Sequence, residues 1–262
     1  MPRIVRPAQR AAPIIAHVPH ASTAIPSEVR AEIVLSDEEL ADELLRLTDW
    51  YTDELFAGLS ELGATLFVND LSRFVFDPER FLDDSAEPMA ARGQGVVYWL
   101  GTRSQPLRAV STEVRERRVR EHYRPYHEQL DALVAEALGA SERCLVLDCH
   151  SFPSLPLPSE MDQSSDRPDI CIGTDPTHTP ESLAAAMEAA FAAEGLRVLR
   201  DSPFAGTFVP SGSYGTDARV HSVMIEVRRG LYMDEATGER VGAFDDVGAA
   251  ITRAVAAALG ET

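Results

Sequence analysis

Cys144-Leu145-Val146-Leu147-Asp148 is a nearly continuous apolar run. A strand of that kind is stable only where both faces of its sheet are covered, as in a parallel or mixed sheet packed between helices. Further short runs read as strands at 13–18, 64–68, 170–173, 197–199 and 222–227. Helical periodicity fills the gaps between them. Ser36 and Glu39 form a capping box, and Leu40, Leu44, Leu47, Tyr51, Leu55 and Leu62 then follow the helical repeat. Thr48 is a second cap, so this stretch is one helix or two, with Asp49 in the first turn of the second. Residues 111–139 are helical by pattern, kinked or divided at Pro125, and their arginines read as a solvated face. Helices are also expected at 181–194 and 245–259. Alternating strands and helices, with no repeat and no linker, predict an α/β fold: one three-layer domain over residues 1–262 around a mixed, mostly parallel sheet.

Charge narrows the function classes. The formal net charge is −18, which repels polyanions and leaves no electrostatic footprint for nucleic acid or an anionic membrane. All 24 basic residues are Arg, so Schiff-base and P-loop lysine chemistry are excluded. No apolar stretch reaches the roughly 18 residues of a membrane span, and the Arg-containing start reads as a tail entering a strand rather than a secretory leader. Cys144, Cys149 and Cys171 form no CxxC and cannot all pair internally, which suits a reducing cytoplasm. The sequence leaves a homo-oligomer open.

Two histidines stand at strand ends, His20 after Pro19 and His150 after Asp148-Cys149, and open α/β sheets place their sites beyond the C-terminal ends of strands. Imidazole and carboxylate are the usual N/O ligands of a catalytic zinc, which keeps three protein ligands and one open position. Asp49, opposite the main apolar stripe of its helix, supplies the carboxylate. Ordinary hydrogen-bonded roles for the two histidines, and a helix-dipole role for Asp49, remain alternatives. Glu226 interrupts the apolar run Val223-Met224-Ile225-Glu226-Val227, where an unpaired carboxylate is costly. It is either a general base with a pKa raised by burial or the partner of Arg228, or of another Arg, in a structural salt bridge. Arg73 and Arg80 flank an apolar segment, and guanidinium grips carboxylates through paired hydrogen bonds, so a small anionic substrate is expected. His122 and His127, five apart, share no helix face and are assigned to packing or substrate orientation. Cys149 beside His150 points to the opposite strand face and is unsuited to a thiolate pair.

Five blocks in order carry a family resemblance: His17-Val18-Pro19-His20-Ala21-Ser22, Thr48-Asp49-Trp50, Ser72 through Arg80, Leu147-Asp148-Cys149-His150-Ser151, and Ile225 through Glu235. Over roughly Pro13 to Glu235 the chain resembles the N-formylglutamate amidohydrolases. That resemblance implies a zinc-carboxypeptidase-like fold and one Zn2+ per chain. It implies His20 and His150 as ligands, Glu226 as base and proton shuttle, and Arg80 as a substrate-carboxylate contact. Related enzymes carry a ligand Glu three residues after the first His, where this chain has Thr23, so Asp49 stands as third ligand by inference. Their Asp-Leu-Asn-Arg motif is Asp77-Pro78-Glu79-Arg80 here. The implied reaction is hydrolysis of N-formyl-L-glutamate to formate and glutamate in histidine breakdown. The alternatives are another N-acyl amino acid or small peptide as substrate, or a metal- or anion-binding protein without turnover.

Overall fold

In a computed structural model describing residues 2–260, the strands are β1 (Arg3–Val5), β2 (Ile14–Val18), β3 (Thr65–Val68), β4 (Cys144–Phe152), β5 (Ile170–Gly173), β6 (Val198–Arg200) and β7 (Val220–Arg228). They form one mixed seven-stranded sheet in the order β1-β3-β2-β4-β7-β5-β6. β3, β2, β4 and β7 run parallel, as do β5 and β6, while β1 and β5 pair antiparallel to β3 and β7. The expected α/β fold with a mixed, mostly parallel sheet is therefore the observed one. Among the described residues, no helix is long and apolar enough to cross a membrane.

The helices are α1 (Ser27–Arg30), α2 (Asp37–Leu47), α3 (Thr52–Leu55), α4 (Thr112–Arg118), α5 (Arg124–Ala140), α6 (Glu181–Ala193) and α7 (Phe244–Gly260). The two-residue period of a strand divides the core between two helical layers. Ala16, Val18, Leu147, Cys149, Val223, Ile225 and Val227 pack with Leu183, Met187 and Phe191 of α6 and Ile251 and Val255 of α7. On the other face Ile15, Phe67, Cys144, Val146 and Val220 meet Tyr126, Leu130, Leu133 and Val134 of α5. A third cluster joins Leu40 and Leu47 of α2 to Phe74, Tyr98 and Leu157 from loops.

Three local readings are corrected. β4 does not stop at Asp148. It continues to Phe152, paired with β7 through Phe152↔Arg228, because Asp148 and His150 find polar partners on one face while Leu147 and Cys149 stay in the core on the other. Thr48 ends α2 rather than opening a helix, and Asp49 lies in the break before α3. The helix preceding β4 contains a π-helical turn at Val119–Tyr123, just before Pro125, whose missing N–H prevents a continuous α ladder there. The arginines of that region are not all solvated: Arg108 and Arg118 are buried, and Arg117 and Arg118 bond Glu32 at 2.5 and 2.8 Å. All three cysteines are free and buried.

Candidate active site

His20 follows β2, whose backbone carries on into Asn69 N–H donating to the Val18 carbonyl at 2.9 Å. His150 sits inside β4, on the same face as Val146 and Asp148. Glu226 is its register neighbour on β7. Asp49 reaches the same place because the capping box of Ser36 and Glu39 starts α2 and Leu47 ends it. The turn that follows puts Tyr51 at φ 62°, a left-handed conformation costly for a residue with a Cβ. Thr52 Oγ1 donates to the Asp49 carbonyl at 2.8 Å.

The predicted residues His20, Asp49, Arg73, Arg80, His150 and Glu226 all line one cleft of about 640 Å³. The His20 and His150 ring centroids lie 5.2 Å apart. Asp49 Oδ2 is 3.0 Å from His150 Nδ1 and 3.7 Å from His20 Nδ1. The other Asp49 oxygen accepts from Arg229 at 3.0 Å, whose guanidinium is further held by Ser151 and the Arg46 carbonyl. Each imidazole is gripped on its far nitrogen by a carboxylate: His20 Nε2 by Asp77 at 2.9 Å and His150 Nε2 by Asp148 at 3.0 Å. Carboxylates of this kind orient metal-binding imidazoles and raise their basicity.

In the sequence Glu79 is only a departure from a motif, yet it lies at the centre of the cleft. Its oxygens stand 3.1 Å from His150 Nε2, 3.4 Å from His17 Nδ1 and 3.7 Å from His20 Nδ1. Asp77, Asp148 and Arg229 fall within the motif blocks, but sequence alone assigns them no role. The available signal was alternation, since Asp148 and His150 are two apart on one strand and must share a face.

Donor chemistry fits a divalent cation. His20 Nδ1 is buried without a hydrogen-bond partner, opposite carboxylate oxygens of Asp49 and Glu79. Two ligands each 2.0–2.2 Å from a tetrahedral zinc sit about 3.4 Å apart, and the 3.0 and 3.7 Å separations around Asp49 Oδ2 bracket that value. His20, Glu79 and His150 likewise offer donor atoms within 4.8 Å of one another. Burial disfavours charge on His150, but Glu79 and Asp148 outweigh it and hold the imidazole well above its ordinary pKa. Burial also opposes ionisation of Asp49, and the hydrogen bond from His150 together with the nearby His20 ring overcomes it, holding the carboxyl far below the usual range. An acid-rich pocket that recruits positive charge so strongly suits a cation.

Glu226 differs from these acids. Arg228 does not neutralise it, because that guanidinium turns to Asp169. Glu226 Oε2 is buried and unpartnered, and desolvation pushes the carboxyl up to about 8. Arg73 is paired with Asp77 at 2.8 Å. Arg80 donates to the Gln94 carbonyl and the Tyr98 hydroxyl at 3.1 and 3.3 Å. Both guanidiniums line the cleft, and neither is a free cation, since each also lies against Asp77. Of the two histidines assigned to packing or orientation, His122 stacks on Phe76 with centroids 5.7 Å apart. His127 lines the cleft and donates from Nε2 to the Pro78 carbonyl at 3.0 Å.

Comparison with known proteins agrees with the resemblance read from the motif blocks. The family model for N-formylglutamate amidohydrolase matches residues 12–233. An N-formylglutamate deformylase of Pseudomonas aeruginosa is 30% identical over 233 residues, covering 85% of this chain and 83% of its own length. A Pseudomonas putida N-formylglutamate deformylase is 30% identical over 234 residues, covering 85% of this chain and 82% of its own. A crystal structure of an N-formylglutamate amidohydrolase from Ralstonia eutropha superposes with a TM-score of 0.85 at 26% identity, covering 99% of this chain and 97% of that one. With the match spanning both histidines, Asp49 and Glu226, the chain belongs to the N-formylglutamate amidohydrolase family.

Proposed function

We propose that this protein hydrolyses N-formyl-L-glutamate to formate and L-glutamate, using one zinc ion held by His20, Asp49 and His150. The observation that carries the reading is the meeting of the His20 and His150 Nδ1 atoms at Asp49 Oδ2, beside an unpartnered Glu226 carboxyl, in a chain of this family. A bound zinc would polarise the scissile carbonyl and acidify water.

Glu226 Oε2 takes a proton from the attacking water and delivers it to the departing amine nitrogen. Its buried setting raises its proton affinity toward the working pH, where such transfer is efficient, and nearby positive charge favours the carboxylate form needed to begin. Arg80, with Arg73, anchors the substrate carboxylates. Asp77 and Tyr98 hold those guanidiniums in place, so the anchor is set before substrate arrives. Arg229 keeps Asp49 oriented.

The third ligand has a competitor. Glu79 Oε2 faces His20 Nδ1 at the same 3.7 Å as Asp49 Oδ2. Asp49 is the better assignment because its oxygen meets the Nδ1 atoms of both rings, whereas Glu79 meets His150 on the nitrogen already bonded to Asp148. Reduced, buried cysteines fit a cytoplasmic enzyme acting on a small anionic metabolite of histidine breakdown. The test is formate release from N-formyl-L-glutamate by zinc-loaded protein, alongside formyl, acetyl and succinyl derivatives of other amino acids. Turnover confined to another acyl amino acid would replace the substrate. Stoichiometric zinc with no turnover on the panel would replace the enzyme by a binding protein.

A further inference from the structure

His17 is fully buried and none of the roles above uses it. It lies on β2 two residues after Ile15, so it faces the layer that holds His150. Its ring is fixed between two others, stacked on Phe208 at 4.5 Å and on Phe67 at 6.2 Å. Both nitrogens are engaged: Nδ1 with Asp148 Oδ1 at 3.0 Å, and Nε2 with the Tyr126 hydroxyl at 2.7 Å. The same Asp148 oxygen meets His150 Nε2 at 3.0 Å, and its second oxygen accepts from the Phe208 backbone N–H at 2.8 Å.

Hydrogen-bond direction follows from the acceptor in the middle. Carboxylate oxygens accept: Asp148 Oδ1 is shared by two ring nitrogens while Oδ2 takes the Phe208 backbone N–H. His17 Nδ1 and His150 Nε2 must both donate to Asp148. With Nδ1 donating, the His17 ring accepts the Tyr126 hydroxyl proton at Nε2, and His150, its Nε2 committed to Asp148, turns Nδ1 toward Asp49, to which it donates in the metal-free chain and where a bound metal would take that proton's place. From α5 to β4, one chain of hydrogen bonds thus dictates which nitrogen of His150 is available.

We infer that Tyr126 and His17 are positioning residues that lock Asp148, and through it the orientation and tautomer of His150, so that His150 presents Nδ1 to a metal. The inference rests on the proposed metal-site reading of His150. Three variants separate positioning from bulk packing. Tyr126→Phe keeps the aromatic contacts and removes the hydroxyl. His17→Leu removes both polar atoms. His17→Asn keeps an amide N–H able to donate toward Asp148.

Zinc affinity is measured by competition with a chelator, together with the thermal midpoint of each metal-free protein. Loss of an outer-shell partner typically weakens metal binding about 10- to 100-fold, which is the effect expected for His17→Leu, with His17→Asn staying within about threefold of the original chain. Equal affinity in His17→Leu and the original chain would overturn the proposal. So would an equal loss in the Asn and Leu variants that tracks their thermal midpoints. A second arm needs no metal: nitrogen–proton correlation spectra of the metal-free chain should show His17 as the Nδ1–H tautomer, with its Nε2 resonance shifted in Tyr126→Phe. An Nε2–H tautomer there overturns the relay even if zinc binds. A chain that takes up no zinc but shows the Nδ1–H tautomer and the Tyr126→Phe shift keeps the relay and refutes the metal reading.

Discussion

The backbone N–H of Asp49 donates to the carbonyl of His20 at 3.0 Å, while the Asp49 carboxylate lies 3.7 Å from His20 Nδ1. One main-chain bond therefore joins the end of β2 to the break between α2 and α3 and delivers an acid and an imidazole to the same point.

That coupling makes Asp49 more sensitive than Glu79. Asp49→Ala should abolish stoichiometric zinc uptake, because it removes the oxygen shared by both Nδ1 atoms and strands the Arg229 charge in a buried site. Glu79→Gln should keep one zinc per chain, as measured by metal analysis of the purified proteins. Retention by Asp49→Ala with loss in Glu79→Gln would exchange their roles.

Glu226→Gln preserves shape and removes the proton acceptor. Zinc content is expected to be unchanged while kcat falls at least about 100-fold, the usual contribution of a general base. Near-normal turnover would take Glu226 out of the mechanism.

The same carboxyl gives a pH dependence to the metal-free protein. Its folded pKa, raised by burial to about 8, exceeds the usual value of about 4.3. The neutral acid is favoured by folding, so this contribution is fully present below pH 4.3 and is lost as pH rises through 8. Denaturant titrations of the metal-free chain should show Glu226→Gln closing the stability gap between pH 5 and pH 9, a difference on the order of a few kcal/mol. An unchanged gap would count against a protonated Glu226.

His127 acts in the opposite direction. Burial lowers its pKa from 6.5 to about 4, and its Nδ1 has no partner to receive a proton's charge. Below pH 6.5 the unfolded chain binds a proton that the folded chain resists, so stability falls between pH 6.5 and 4 by about 3 kcal/mol from this group. His127→Gln should flatten that part of the acid-unfolding profile.

On the scaffold side, Leu130 of α5 is fully buried against the sheet. Leu130→Ala should cost about 2–5 kcal/mol, read from the denaturant midpoint. A cost under about 1 kcal/mol would mean that this layer packs differently.

Much of the architecture was legible in local pattern. Burial on both faces makes Cys144–Asp148 apolar throughout, and the helical period and capping box of α2 are written in neighbouring residues. His20, His150 and Glu226 could be singled out because polar groups at strand ends, or inside apolar strands, need a compensating partner. What partner each one has could not be read in the same way. The strand was expected to stop where the apolar residues stop, but the ladder between β4 and β7 runs four residues beyond Asp148, since backbone pairing is indifferent to a polar side chain that finds a partner across the fold.

The chain's own order of residues thus determined an α/β sheet with imidazoles and a buried acid near its strand ends, because period, caps and apolar runs are properties of adjacent residues. Only tertiary structure decided that Asp49 meets both histidines, that Glu79 enters the same site, that Arg228 turns away from Glu226, and that Tyr126 and His17 stand behind Asp148. Those contacts join residues from 71 to 131 positions apart in the cases of Glu79 with His150 and His17 with Asp148. Distances over such separations are set by how the layers pack, which no local pattern encodes.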